Sequence, residues 1–294
     1  MSATAVPIQN TEHGAVTALR HYTLYLRSHP SAAVGSVIVA LFLLMTIFAP
    51  LIAPYDPETP TAEFRTPPSR QHWFGTDPTG LDVFSRVVYA ARVDLVVGLT
   101  GTLLSLVIGI PLGLLVGYYR SVFSGLVLRV ADLLQAFPVF VLAMAVVAIA
   151  GPSIRNVILV IGLLNVPIYV RLVRSQVLAF RERPAIEAAR CVGNTDRGIL
   201  RHYLLPNTIE AALVQSSVNV GWAILLTASL SFIGAGIPVP TPEWGSMVGI
   251  GAPMMILGEW WAAFFPGLAI GLCVLGFAMV TDAVRVLVNP ERRA

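Results

Sequence analysis

Six residues punctuate the most charged stretch of an otherwise oily chain: Glu187, Ala188, Ala189, Gly193, Leu205 and Pro206. They sit in RLVRSQVLAFRERPAIEAARCVGNTDRGILRHYLLP, from Arg171 to Pro206, which holds seven of the 19 basic residues against three acids, Glu182, Glu187 and Asp196. A charged helical loop between long apolar segments must face water. Its chemistry is that of docking, with ionic and close-contact surfaces offered to a partner. Nothing points to catalysis. The five histidines (13, 21, 29, 72 and 202) are scattered and form no metal-spaced cluster. Every basic residue is Arg, so the chain has no Lys for the phosphate loop of a Walker A ATPase. Cys191 and Cys273 are too few for a disulfide framework and read as structural. We expect no catalytic, metal or cofactor site in the chain itself.

A second set of polar residues lies inside apolar stretches: Asp132 with Gln135, Asn165 with Pro167, and Gln215, Ser216 and Asn219. Intramembrane polar groups are expensive and often mark a pathway. Gln215, Ser216 and Asn219 are therefore candidate pathway-lining residues, with hydrogen bonding between helices as the alternative for Gln215 and Asn219. Asp132 stands one helical turn from Arg129, which points to a local ion pair. Gly109, Gly113 and Gly117 recur at intervals of four and line up a thin face for close helix packing. No membrane-embedded acid–base pair and no regular row of arginines stands out within a span, which argues against proton-driven and voltage-sensing readings.

The elements that must position these residues are spans. The chain is 56% hydrophobic and 12% charged, where soluble proteins carry roughly 25% charged residues. This composition predicts an all-α integral membrane protein. Six apolar stretches, near 33–53, 94–118, 127–149, 154–171, 209–233 and 263–288, can cross a hydrocarbon core of about 30 Å. The first reads as an uncleaved anchor after a tail over 1–32. An outer segment follows over 54–93, then a core over 94–290 with the charged loop at 172–206. With both termini inside, fourteen arginines fall on inner segments and five on outer ones, the distribution the positive-inside rule favours.

Two outer segments are distinctive. Leu81, Phe84, Val87, Val88 and Ala91 recur at helical spacing, with Arg86 and Tyr89 on other faces, and predict a short amphipathic helix along the outer surface. In the segment 234–262, Pro238, Pro240 and Pro242 cannot continue a helix, which predicts a loop dipping toward the membrane. Trp244, Trp260 and Trp261 there suit an interfacial belt.

The charged loop itself reads as helix, glycine turn and second short helix. Gly193 can take a positive φ to end the first helix. Asn194, Thr195 and Asp196 are N-cap candidates for the second. Ala188 and Ala189 keep one face thin for a partner, and Pro206 marks re-entry toward the next span.

The spacing Glu187-Ala188-Ala189, Gly193, Leu205-Pro206 resembles the signature of binding-protein-dependent ABC transporter permeases, with Tyr203 where that family usually has Ile. HWFGTDPTGLDVFSRVVYAARV resembles the outer segment of the dipeptide, oligopeptide and nickel permeases. LSFIGAGIPVPTPEWGSMV and WWAAFFPGLAIGLCVLGFAMVTDAVRVLVNP resemble that family's last outer loop and last span. The long N-terminal segment with an early anchor resembles the C-type partner of its paired permeases. Leu81 stands where the family usually has Arg, and Asp94 where Ser is common.

The resemblance implies a type I ABC importer permease fold, six transmembrane helices with a cytoplasmic coupling-helix loop. Glu187, Ala188, Ala189, Gly193, Leu205 and Pro206 would form the ATPase-coupling element. It also implies partners: a homologous B-type permease, two ATP-binding subunits that hold ATP and Mg, an extracytoplasmic solute-binding protein and membrane lipid, with no nucleic acid. The place would be the bacterial cytoplasmic (inner) membrane, with both termini inside. Peptides are the expected cargo, with nickel or another small solute as the alternative. An ATP-independent secondary transporter or channel, and a structural membrane subunit, are the rival readings. Any single arginine of the loop is equally served by positive-inside anchoring and lipid headgroup contact.

Overall fold

The computed structural model describes residues 22–288, with side chains through Val286. Most of the tail expected over 1–32, and the last two residues of the expected core, lie outside them. Every regular element among the described residues is a helix. From Pro30 onward these are, in order, α1 (Pro30–Ile52), α2 (Val83–Tyr118), α3 (Val122–Ala136), α4 (Val139–Ala150), α5 (Ile154–Phe180), α6 (Pro184–Cys191), α7 (Asp196–Ile199), α8 (Leu205–Phe232), α9 (Trp244–Gly251) and α10 (Trp261–Val288). A π-type turn, Leu200–Leu204, joins α7 to α8, and a 3-10 turn, Ala252–Leu257, follows α9. Five helices are long and apolar enough to cross a membrane, and the α3–α4 pair makes a sixth if the two are counted as one span. The protein is thus an all-α, multi-span membrane protein.

Five elements differ from expectation. The separate amphipathic helix on the outer surface does not exist. Val83 opens a single 36-residue helix that runs through to Tyr118. No proline lies between Val83 and Ile110 to interrupt it, and Asp82 caps it by accepting a 2.8 Å hydrogen bond from the Ser85 N–H. The stripe of Leu81, Val87, Val88 and Ala91 is buried against protein. The expected third span, 127–149, is broken: α3 and α4 meet at 95°. Phe137 is extended (φ −89°, ψ 146°), as the residue before a proline prefers to be.

The expected fourth span, 154–171, continues to Phe180 as one helix through Arg171 and Arg174. The second helix of the charged loop is not a free element either. Asp196–Phe232 behaves as one 37-residue helix through the π turn, so α7 is the first turn of the fifth span.

The centre of the molecule is the contact between α2 and α5. A Cβ placed on Gly109 would lie 2.5 Å from the Tyr169 Cβ. One on Gly113 or Gly117 would lie 2.7 Å from the Cβ of Val173 or Val177. The four-residue glycine spacing therefore does what it predicts, letting two backbones approach without side chains between them. α8 and α10 pack around this pair, and α1 lies on α10. α9 fills the end of the bundle away from the charged loop, where a loop was expected, wedged so closely that a Cβ on Gly245 would overlap the Ala228 backbone.

Candidate functional site

The charged loop folds into a hairpin of α6 and α7 at one end of the bundle. Pro184 sits in the first turn of α6, where its missing N–H costs nothing. Ile186 and Ala189 turn inward and are buried, while Glu187, Ala188 and Arg190 are exposed. Of the two alanines, only Ala188 therefore lies on the outward face. Glu187, in the first turn, complements the helix dipole.

α6 ends as the sequence suggests. Gly193 has φ +83°, and the Asn194 N–H donates to the Ala189 carbonyl at 3.0 Å, closing the six-residue loop of a Schellman cap. Nothing lies within 4 Å of where a Gly193 Cβ would point, and Val192 beside it is 79% exposed. The second arm starts at Thr195, whose hydroxyl accepts from the Gly198 N–H at 3.2 Å. Leu204 is fully buried, and Leu205 is half-buried in the same cluster as Tyr169, Val177 and Ile199. Pro206 is exposed in the first turn of α8. Tyr203 packs against this inner cluster, so its ring substitutes for an apolar residue on the inward side and leaves the exposed face of α6 unchanged.

The hairpin is tied to the helix ends above it. The Tyr118 hydroxyl donates to Asp196 Oδ1 at 2.5 Å, and Arg190 Nη2 donates to that hydroxyl at 3.3 Å. The hydrogen bond to Tyr118 raises the Arg190 pKa above its ordinary value. Arg181 Nη1 donates to the Gly117 carbonyl at 3.2 Å, and the Arg183 guanidinium lies 4.0 Å from the Phe180 ring centre.

The candidate pathway residues stand apart from the hairpin, on α8. Gln215 Nε2 donates to Asn219 Oδ1 at 3.0 Å along the same helix, and the Ser216 hydroxyl donates to its own helix at Leu213 O. Gln215 and Asn219 thus bond to each other along α8, and Asn219 also lies against the Tyr169 hydroxyl of α5. Asn165 is buried on α5 with neither side-chain polar atom paired. Asp132 does not pair with Arg129. It meets Arg171 of α5 at 2.5 Å, an exposed bridge formed because α3 lies alongside α5.

At the other end, sequence reasoning missed a buried polar junction. Arg86 is 1% exposed, and its Nη1 donates to the carbonyls of Pro57 at 2.9 Å and Pro240 at 3.4 Å. Asp94 Oδ2 accepts the Trp244 N–H at 3.1 Å, and Trp244 Nε1 donates to the Val87 carbonyl at 3.0 Å. Glu243 caps α9 by accepting from the Gly245 and Ser246 N–H groups. Trp244 and Trp261 are buried, so of the three expected belt tryptophans only Trp260 faces outward. The signal for this junction was an acid, Asp94, at the head of an apolar run.

Comparison with known proteins places this architecture. Residues 109–294 match the family described as binding-protein-dependent transport system inner membrane component. Residues 19–68 match the N-terminal TM domain of oligopeptide transport permease C. The chain is 40% identical over 290 residues to the dipeptide transport system permease protein of Alkalihalophilus pseudofirmus, covering 98% of this chain and 95% of that one. It is 38% identical over 267 residues to the probable D,D-dipeptide transport system permease protein of Escherichia coli K12, covering 90% and 89%. It is 36% identical over 272 residues to the glutathione transport system permease protein of Pectobacterium atrosepticum, covering 92% and 90%. A chain with this bundle and these relatives belongs to the binding-protein-dependent inner membrane transport components, as a C-type permease subunit of the dipeptide and oligopeptide ABC transporter family.

Proposed function

We propose that this permease forms half of the translocation path of an ATP-driven peptide importer, and that the α6–α7 hairpin is the element through which ATP hydrolysis reaches it. The observation that carries this reading is the hairpin's shape. Glu187, Ala188, Val192 and Gly193 stand on an exposed tip, while Ile186, Ala189 and Leu204 root it in the bundle. The chain has no Lys with which to build a phosphate loop, so ATP and Mg would bind in two partner ATPase subunits. A homologous B-type permease would complete the path, and a solute-binding protein would deliver cargo from outside. The hairpin and both termini would face the cytoplasm, where the arginine excess belongs. Gln215, Ser216 and Asn219 would line the path in a conformation that exposes them. Peptide cargo is supported by the names of three relatives, two dipeptide permeases and one glutathione permease.

The test is the reconstituted importer carrying Glu187→Arg or Gly193→Asp. Glu187→Arg reverses charge on the docking face, and Gly193→Asp puts a charged side chain on the open turn. Both subunits should insert and lose solute-stimulated ATP hydrolysis. Normal copurification of ATPase together with normal stimulation in both variants would overturn the assignment. Uptake of a labelled dipeptide against uptake of nickel decides the cargo.

A further inference from the structure

Tyr118 is the last residue of α2, and its hydroxyl is where both arms of the hairpin meet. Asp196 opens the second arm and accepts the phenol proton at 2.5 Å. Arg190, on the first arm, donates to the same oxygen at 3.3 Å, and its guanidinium carbon stands 5.6 Å from the ring centre. Between these two attachments lies only the exposed run from Cys191 to Thr195, with the unobstructed Gly193 at its middle. A hairpin held by one arm would pivot about its glycine when pushed. Beyond the buried roots at Ile186, Ala189, Ile199 and Leu204, the shared oxygen fastens both arms to α2 on either side of that glycine.

The helix that receives the junction reaches the far end of the molecule, as does the 37-residue helix that the second arm itself begins. α2 is one helix of 36 residues with Pro111 inside it, about 54 Å along its path at 1.5 Å per residue. At its other end, Arg86, Val87 and Asp94 bond to Pro240 and Trp244 of the outer segment. Along its inner half, the glycine face locks it to α5.

We infer that Tyr118 is a positioning residue for coupling: it fastens both arms of the hairpin to α2, so that displacement of the docked tip is delivered to the long helix rather than absorbed in the turn. This rests on the reading of the hairpin as the ATPase-docking element. Tyr118→Phe isolates the effect, because the ring and its contact with Arg190 remain while the bridging oxygen is lost.

The experiment uses the complete importer in lipid vesicles, with both permeases, the ATPase subunits and the outer binding protein loaded with dialanine. The readout is the ratio of solute-stimulated to basal ATP hydrolysis, with assembly followed by copurification. Tyr118→Phe should assemble and lower the ratio about 10-fold, the effect of one hydrogen bond to an ionised carboxylate. Asp196→Ala should lower it equally, and the double variant no further, because both remove the same bond. Asp196→Asn keeps an acceptor oxygen and should recover most of the ratio.

Glu187→Arg runs beside them. If it uncouples while Tyr118→Phe and Asp196→Ala keep the wild-type ratio, the fastening is overturned and the docking reading stands. If Glu187→Arg also keeps the ratio, both fall. Losses that add in the double variant, or a Tyr118→Phe subunit that no longer assembles, would mark a merely structural tyrosine and overturn the proposal.

Discussion

Gly193 and Gly113 exclude side chains for opposite physical reasons, and substitution should separate them. Gly193 has open space around it and a φ of +83°, so Gly193→Ala should cost only the left-handed backbone penalty, about 1 kcal/mol. Gly113 has ordinary helical backbone but faces the Val173 Cβ and the Val170 carbonyl. Gly113→Val should therefore cost about 1–3 kcal/mol through overpacking and push α2 from α5. Thermal unfolding of the purified subunit with its partner permease should show the second variant clearly less stable than the first. Equal losses would contradict the distinction. Both glycines were legible in the sequence, because a turn signal is local and a four-residue spacing repeats. The inward side of Ala189 and the burial of Arg86 were not, since which face of a helix is covered depends on elements far away in the chain.

At the scale of elements, the buried junction of Arg86, Asp94 and Trp244 shows what local pattern leaves out. The apolar stripe from Leu81 to Ala91 has the same spacing whether it lies on a membrane surface or against protein. What decides is α9, whose Trp244 comes from 150 residues beyond Asp94 to meet it. The prediction at this scale concerns that attachment. Asp94→Leu leaves a buried N–H without an acceptor and should cost about 1–3 kcal/mol, read as a lower melting temperature of the assembled complex. Asp94→Asn, whose amide oxygen still accepts, should lie close to wild type. If the leucine variant melts no lower than the asparagine variant, this bond does not hold α9 to α2. Helix lengths were misread for a related reason. Hydropathy marks where a helix is oily, not where its hydrogen-bond ladder stops, so α2 and α5 outrun the apolar windows that reveal them.

For the whole molecule, charge asymmetry predicts the orientation, and one measurement checks it. A reporter fused near residue 195 should score cytoplasmic and one near 240 external. The reverse pair would invert every assignment of inside and outside. The multi-span class was readable from composition alone, whereas the break in the third span was passed over although Pro138 signals a stop, because hydropathy stays high on both sides of Phe137-Pro138. That break also carries a consequence for hydration. Where α3 stops and α4 starts, several carbonyls and N–H groups have no partner within their own helix. In hydrocarbon each such group costs several kcal/mol. The elbow must therefore lie at a depth where water or a polar protein surface supplies those bonds. The exposed Asp132–Arg171 pair nearby has the same requirement, so this corner of the bundle marks a wet zone within an otherwise oily exterior.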